Sequence, residues 1–334
     1  MKKLSIADIA AQLNVSKTVV SFILNNRAAE QRISDELVQR VQSFIKEVGY
    51  KPNPIAKSLR TGKTNIIALM VENIADPFFA SVARLIENSA YKSGYKIIYC
   101  STDNDTEKTK ELLTMFRERS VDGYVIAPPE GIQEEIQSLV DEGTPVVFFD
   151  RHLPNVHTDV IEIDNQESTY KATNHLISKG YKNIAFITFS SKLTQMKSRL
   201  AGYKQAINAA GLNTYIKQIV FDQNEDNIVN PIIDFLKSNQ NLDAVLFGAL
   251  QAGTNGLKAI RHLEYKIPDD IAVISFDDCD VFNLYSPSIT AISQPIDKIA
   301  DSTINLLLKR LNASTQKQQK IVIKTNTVFR KSVK

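Results

Sequence analysis

Two cysteines in 334 residues, Cys100 and Cys279, leave no room for a disulfide framework, and neither sits in a metal-binding spacing. They read as buried free thiols, and such usage fits a reducing, cytoplasmic compartment. Long hydrophobic runs are also missing: none approaches the ~18–20 residues of a membrane span. The opening Met1-Lys2-Lys3-Leu4-Ser5-Ile6-Ala7-Asp8 is not a secretory signal, because Asp8 interrupts the apolar stretch and no long one follows. The four histidines, His152, His157, His175 and His262, are scattered and read as surface or capping residues. No Gly-x-Ser-x-Gly elbow and no His/Asp/Glu metal spacing occur, which argues against an α/β enzyme and against a metal or cofactor. Thr61-Gly62-Lys63-Thr64 ends like a phosphate loop. The pattern needs a glycine five residues before Gly62, and that position is Lys57, so nucleotide binding there is rejected.

What is present is a chain of ordinary hydrophobicity (43%), long enough for two or three domains with a sizeable core. The net charge of +3 is unevenly spread. Residues 1–63 carry 11 Lys/Arg against 5 Asp/Glu, so the first 63 residues alone hold +6 and the remainder −3. A basic head on a slightly acidic body points the head at a polyanion, although a solvated basic surface has the same composition.

Three amphipathic helices fit into that head. Ser5 can cap the first, with Asp8 completing a capping box, and Ile6, Ile9, Ala10 and Leu13 form its apolar face. Asn14-Val15 makes a tight turn. Ser16 caps a second helix, Lys17 to Leu24, that turns Val19, Val20, Ile23 and Leu24 inward and leaves Lys17, Thr18, Ser21 and Phe22 outward. Ser34 caps a third, with Leu37, Val41, Phe44, Ile45 and Val48 inward, and Gly49 stops it. Two short helices joined by about three residues and closed by a third match the helix-turn-helix plan, in which the second helix enters the major groove. Any three-helix bundle shares the periodicity. Pro52 and Pro54 then break the third helix; Asn53 can cap, and Pro54 can start, a short one bearing Ile55, Ala56, Leu59 and Arg60. So short a helix is only conditionally stable in water, and a plain linker containing proline fits the same residues.

From Asn65 onward, apolar runs alternate with helical patterns. Strands are expected at Ile66–Val71, Ile97–Cys100, Tyr124–Ile126, Val146–Phe149, Ile184–Thr188, Ala244–Phe247 and Ala272–Phe276. Helices are expected at Phe79–Lys92, Glu107–Arg119, Ser168–Lys179, Arg199–Ala210, Ile228–Lys237, Thr254–Leu263 and Lys298–Leu311. This alternation predicts an α/β core of parallel sheets covered on both faces. Some 270 residues exceed one doubly wound domain, so two lobes with a seam near 160–168 are expected, with Gln294-Pro295 where the chain crosses back. Ligands in such folds bind beyond the C-terminal strand ends, which nominates Asp76, Phe78, Phe79, Asp150, Arg151, Arg199, Asp277 and Gln294. Asp277 also suits a turn cap, Arg199 an interlobe ion pair, and Phe79 the core.

Several stretches resemble the lactose/galactose-repressor family. In the head these are Ser5-Ile6-Ala7-Asp8-Ile9-Ala10, Val15-Ser16-Lys17-Thr18-Val19-Val20-Ser21 and Leu24-Asn25, followed by the hinge Gly49-Tyr50-Lys51-Pro52-Asn53-Pro54 onward. In the core, Asp76-Pro77-Phe78-Phe79, Val121-Asp122-Gly123, Phe149-Asp150-Arg151, Arg199-Leu200-Ala201-Gly202-Tyr203, Ser275-Phe276-Asp277-Asp278 and Ser293-Gln294-Pro295 resemble the periplasmic sugar-binding proteins and their repressor relatives.

The resemblance implies a helix-turn-helix over 1–50, a hinge over 51–63, and a two-lobed effector-binding and dimerisation domain over 64–334. It implies a homodimer on a pseudo-palindromic double-stranded operator, contacted through Ser5, Ser16, Lys17, Thr18, Ser21, Phe22 and Asn25. Asn53, Ala56 and Leu59 of the hinge would enter the minor groove, with Leu59 as the wedge. The implied effector is a sugar, stacked on Phe78 or Phe79 and bonded by Asp150, Arg151, Arg199, Asp277 and Gln294. Three departures stand out. Val19 replaces the family's usual Thr, Phe22 its frequent Arg, and Ala249-Leu250 its usual Asn-Asp. A sugar-binding protein without DNA function is the alternative, and the basic head speaks against it.

Overall fold

The computed structural model describes residues 4–50, 58, 61–222, 224–312 and 317–334. The chain forms two compact units, Met1–Thr64 and Asn65–Lys334.

The first unit contains helices α1 (Ile6–Gln12), α2 (Lys17–Leu24) and α3 (Asp35–Glu47), each begun by a serine. Ser5 and Asp8 form a reciprocal capping box, and the hydroxyls of Ser16 and Ser34 accept from the amides of Val19 and Leu37. Asn14 in the turn and Gly49 after α3 both take positive φ, the left-handed region those residues tolerate best. Ile9, Ala10, Val20, Ile23 and Val41 make the small core. Arg40 of α3 donates to the carbonyl of Leu13, pinning the α1–α2 turn from outside.

The second unit has two six-stranded sheets. In chain order its elements are β1 (Ile66–Val71), α4 (Pro77–Lys92), β2 (Lys96–Ser101), α5 (Thr106–Glu118), β3 (Gly123–Ile126), α6 (Gln133–Asp141), β4 (Val146–Phe149) and β5 (Asp159–Ile163). There follow α7 (Asn165–Ser178), β6 (Ile184–Phe189), α8 (Thr194–Ala209), β7 (Tyr215–Ile219), α9 (Asp226–Ser238), β8 (Ala244–Phe247), α10 (Leu250–His262), β9 (Ala272–Phe276), α11 (Asp280–Leu284) and β10 (Thr290–Ser293). The chain ends with α12 (Ile296–Asn312), β11 (Lys320–Ile323) and β12 (Asn326–Val328). The sheet orders are β11-β5-β4-β3-β1-β2 and β12-β10-β9-β8-β6-β7. The chain passes between the sheets after β5, after β10 and after β11, so each lobe is assembled from separate stretches. All pairings are parallel except β10 with β12. That exception is an edge strand reached directly from the other lobe, without the crossover helix that parallel pairing requires.

The central strands are nearly continuous apolar runs because both faces are covered. Helices α7 and α8 pack tightly at Gly202, where a Cβ would lie 2.2 Å from the carbonyl oxygen of Gln166. All seven expected strands and seven expected helices form, with helix starts one to five residues earlier than periodicity indicates. Strands β5, β7, β10, β11 and β12 and helices α6 and α11 escape the pattern. β5 carries the buried Asp159, held by Arg310 at 2.6 and 2.8 Å, inside what reads as a polar loop. Helix α6 starts at Gln133, and its N-cap, Ile132, offers no side-chain cap to announce it. The two cysteines are half-buried rather than buried; burial still pushes the Cys100 thiol up to about 12.

Candidate functional site

The head presents α2 along one exposed edge. Lys17 and Thr18, in its first turn, are exposed, with no side-chain hydrogen bond or ion pair to another described residue; Ser16 uses its lone pair on the Val19 amide, which leaves its O–H free to donate. Ser5 is more committed, since its hydroxyl both donates to and accepts from Asp8. Ser21 and Phe22 are half-buried, not fully outward as helical spacing alone indicates. Asn25 folds back, its amide donating to the Ser21 carbonyl at 2.6 Å. Arg27, which periodicity did not single out, stands over the Phe22 ring at 5.8 Å while paired with Glu30. Asn53, Ala56 and Leu59 lie outside the described residues.

In the core, the nominated residues converge between the lobes at the C-terminal strand ends. Asp150 and Asp277 both have positive φ, 67° and 66°, so the chain turns sharply where each strand ends and swings the carboxylate into the cleft. Arg151 is nearly wholly buried and is held inside the first lobe: Nε on Asp150 (2.8 Å), Nη1 on Asn104 (3.0 Å) and Nη2 on Glu72 (2.8 Å). Three of its five N–H groups are thus spent on protein. It is a strut for Asp150, which revises the expectation of a direct ligand bond. Phe79 is likewise core, edge-on to Phe149 at 6.0 Å, and only Phe78 keeps part of its ring exposed. Asp76 caps α4 through the Phe78 amide at 2.9 Å.

The second lobe supplies Arg199 and Asp277. Arg199 sits over the Phe276 ring, its Cζ 3.6 Å from the centroid, with Nε on Asn165 (2.9 Å) and Nη1 on the Gly248 carbonyl (3.0 Å). Asp277 approaches it at 3.6 Å and accepts from Gln294 Nε2 at 2.6 Å. The ion pair is therefore within one lobe, not between lobes. A Cβ on Gly248 would meet Thr188 Oγ1 and the Phe186 ring at 2.7 Å each, so only glycine fits there.

The lobes meet directly. Gln195, at the start of α8, donates to Asp150 at 3.3 Å, and Thr194 bonds the backbone of His152 in both directions. Charges on the two sides feel each other. Burial raises the Asp150 carboxyl above its ordinary value, opposed by Arg151 and by Arg199 across the cleft. Burial lowers the Arg199 guanidinium, opposed by Asp277 and Asp150. Asp76 is raised by burial, with Asp277 adding repulsion from the other lobe.

Sequence reasoning did not reach Glu72, Asn104, Asn165, Thr188 or Gln195. Thr188 Oγ1, Gln195 Oε1 and Gln294 Oε1 are buried without any hydrogen-bond partner among the described residues. Tyr124, Glu135 and Asn255 also carry unpartnered buried atoms; leaving such a group unpaired costs about 1–3 kcal/mol, which a polar ligand in the cleft would relieve at Thr188, Gln195 and Gln294. Among the described residues no group of three or more His, Cys, Asp or Glu could hold a metal, and no helix is long and apolar enough to cross a membrane.

Residues 5–53 match the family described as bacterial regulatory proteins, lacI family, and residues 173–333 match a periplasmic binding protein-like domain. The HTH-type transcriptional repressor PurR of Histophilus somni (strain 2336) is 32% identical over 99% of both chains. A periplasmic binding protein/LacI transcriptional regulator from Alkaliphilus metalliredigens QYMF, solved with D-xylulofuranose, is 27% identical, with a TM-score of 0.74 over 80% of this chain and 99% of that one. The lac repressor dimer bound to operator and the anti-inducer ONPF shares the fold over 99% of both chains, with a TM-score of 0.85 at 19% identity.

Proposed function

Because this chain belongs to the lacI family of bacterial regulatory proteins, DNA-binding regulators of transcription, we propose that it is a repressor whose operator affinity is switched by a sugar. Residues 1–50 read the operator, 51–63 form the hinge, and 64–334 bind the effector and dimerise. The chain acts by binding, without catalysis or cofactor, in the cytoplasm where its DNA lies. The observation that carries the effector reading is the set of orphaned buried atoms at Thr188, Gln195 and Gln294, facing the charged pair Arg199 and Asp277. A polyol supplies both donors and acceptors to such a surface. The sugar-bound relative, with the same fold, supports that class.

On this reading the head docks as helix-turn-helix domains do. α2 lies in the major groove with Lys17 and Thr18 on base edges or phosphate, and the Ser16 hydroxyl on phosphate. Leu59 of the hinge wedges into the minor groove beside Ala56 and Asn53. Two copies read a pseudo-palindrome. Exposed apolar side chains on the second lobe suit their pairing: Val220 (77% exposed) and Phe221 (50%) after β7, and Val281 (54%) and Leu284 (81%) on α11. The loop bearing Val220 and Phe221 ties to α10 through Glu225–Lys258, and α11 does so through Phe282 against Gly253. A ligand bridging Asp150 and Gln195 favours the closed lobes, and closure and operator binding then change each other's affinity by the same factor.

The test is a melting screen against sugars, nucleobases and amino acids, since a ligand raises stability by mass action. Operator titrations with the hit follow, using DNA selected from a random pool. One sugar raises the melting temperature and shifts operator affinity. A chain starting at Asn65 that still binds the selected DNA overturns the DNA assignment, and a hit confined to nucleobases or amino acids overturns the sugar.

A further inference from the structure

Helix α2 ends in a backbone motif that carries one side chain back onto its exposed face. Asn25 caps the helix, and Asn26 turns left-handed at φ 56°. The amide of Asn26 donates to the Ile23 carbonyl at 3.2 Å, and that of Arg27 to the Phe22 carbonyl at 2.9 Å. These paired bonds close the helix and bring the side chain of the second residue past the cap against the residue five before it. Here the two are Arg27 and Phe22, and the Arg27 Cζ stands 5.8 Å from the Phe22 ring centroid. The usual partner in that contact is apolar; an arginine places a guanidinium there instead.

We propose that Arg27 reads a guanine in each half-site of the operator, with the Phe22 ring as its platform. This deepens the reading of the head as the DNA-binding part and rests on it. Three observations carry it. Thr18 and Phe22 are four residues apart on α2, so they share one face, turned away from the buried Val20 and Ile23. The guanidinium over Phe22 therefore lies one turn along from Thr18. Next, the protein uses only one nitrogen of Arg27: Nε donates to Glu30 at 2.8 Å, while Nη1 and Nη2 hold no hydrogen bond to another described residue. That leaves an outer fork whose geometry matches O6 and N7 of guanine. Arg40 of the same head is spent on the Leu13 carbonyl.

The third observation is the chemistry of the platform. Phe22 has no hydrogen-bonding atom, so a polar contact at this point of the face falls to Arg27. A phosphate is held by any cation on a flexible stem, and lysine serves it too. A planar fork resting on an aromatic ring is an arrangement only arginine makes, and it suits the flat edge of a base.

The test is selection from a random DNA pool with the full chain at low salt, run on the parent, Arg27→Ala and Arg27→Lys. Melting curves and titrations on the parent's selected site accompany it. The parent motif holds a guanine at the same place in each half-site. In both variants that preference disappears while the other positions keep theirs. Binding to the parent site weakens about ten- to hundredfold per half-site. Replacing that guanine in the DNA weakens the parent equally and leaves the variants unmoved, a coupling that mere support of the helix end does not produce. Arg27→Lys matching the parent in motif and affinity overturns the proposal in favour of a phosphate contact. A motif unchanged in Arg27→Ala overturns it too, as does a loss spread evenly over all positions. A parent that selects no motif overturns the DNA reading beneath it.

Discussion

The head and the cleft handle recognition in opposite ways. On α2, Lys17 and Thr18 stand in solvent and carry no structural duty. In the cleft, Asp150, Arg151 and Arg199 are buried, and each also holds the protein together. DNA brings its own charge to an exposed surface, so the head can leave its contacts open until binding. A small ligand must be enclosed, so its contacts have to be buried beforehand and braced against one another. Recognition in the head is therefore separable from folding, whereas recognition in the cleft is separable only at the orphaned groups and at the partly exposed Asp277.

The sharpest way to break this contrast is Arg151→Met. It strands Glu72 and Asp150 without their shared cation in a buried site, and the core loses about 3–5 kcal/mol, roughly 10 °C in melting temperature. A ligand-free melting curve within about 1 kcal/mol of the parent would make Arg151 a ligand contact rather than a strut. Next come Asp277→Asn and Gln195→Leu, which lower ligand affinity about ten- to hundredfold, read by calorimetry, while stability moves by less than about 1 kcal/mol. Asn is the right probe at Asp277 because the backbone there is left-handed, where Ala would add strain unrelated to binding. A large loss of stability instead would reduce Asp277 to a turn cap.

In the head, Lys17→Ala costs about 1–3 kcal/mol of specific operator binding if the contact is to a base. If it is to a phosphate, the salt dependence of binding becomes shallower by about one ion. Either way the melting curve stays put, and unchanged operator binding would remove Lys17 from the interface. The smallest effect is a pH dependence from Asp76. Its folded pKa lies above the ordinary 3.8, mainly through burial, so the folded chain holds the proton more tightly than the unfolded one. The stability contributed by that proton is present below 3.8 and is lost as pH rises to the folded value. Melting Asp76→Asn beside the parent checks the sign: the parent loses ground to the variant through that window, and the difference is flat above it.

Much of this molecule was legible along the chain. Ser5, Ser16 and Ser34 announced three helix starts in the head, and the apolar runs announced the central strands, because caps and periodicity act within a few residues. The strand ends also pointed to Asp150, Arg199, Asp277 and Gln294. The roles were less legible. Arg151 and Phe79 belong to motifs that suggest ligand contact, yet Glu72 and Asn104 claim the first and Phe149 packs on the second. Gln195 was hidden because α8 begins five residues before its apolar spacing does, and no capping residue marks the place.

The sequence by itself determined the two-part plan: a basic, serine-capped trio of helices followed by alternating strands and helices. Only the tertiary structure decided which polar residues are spent on the protein and which are left for a ligand. Glu72, Asn104 and Asp150 are far apart in the chain, as are Asn165, Arg199 and Gly248, and each set meets around one buried guanidinium. A buried charge takes whatever partners the fold brings within about 3 Å, and those partners are set by sheet order and lobe crossing, not by spacing along the chain.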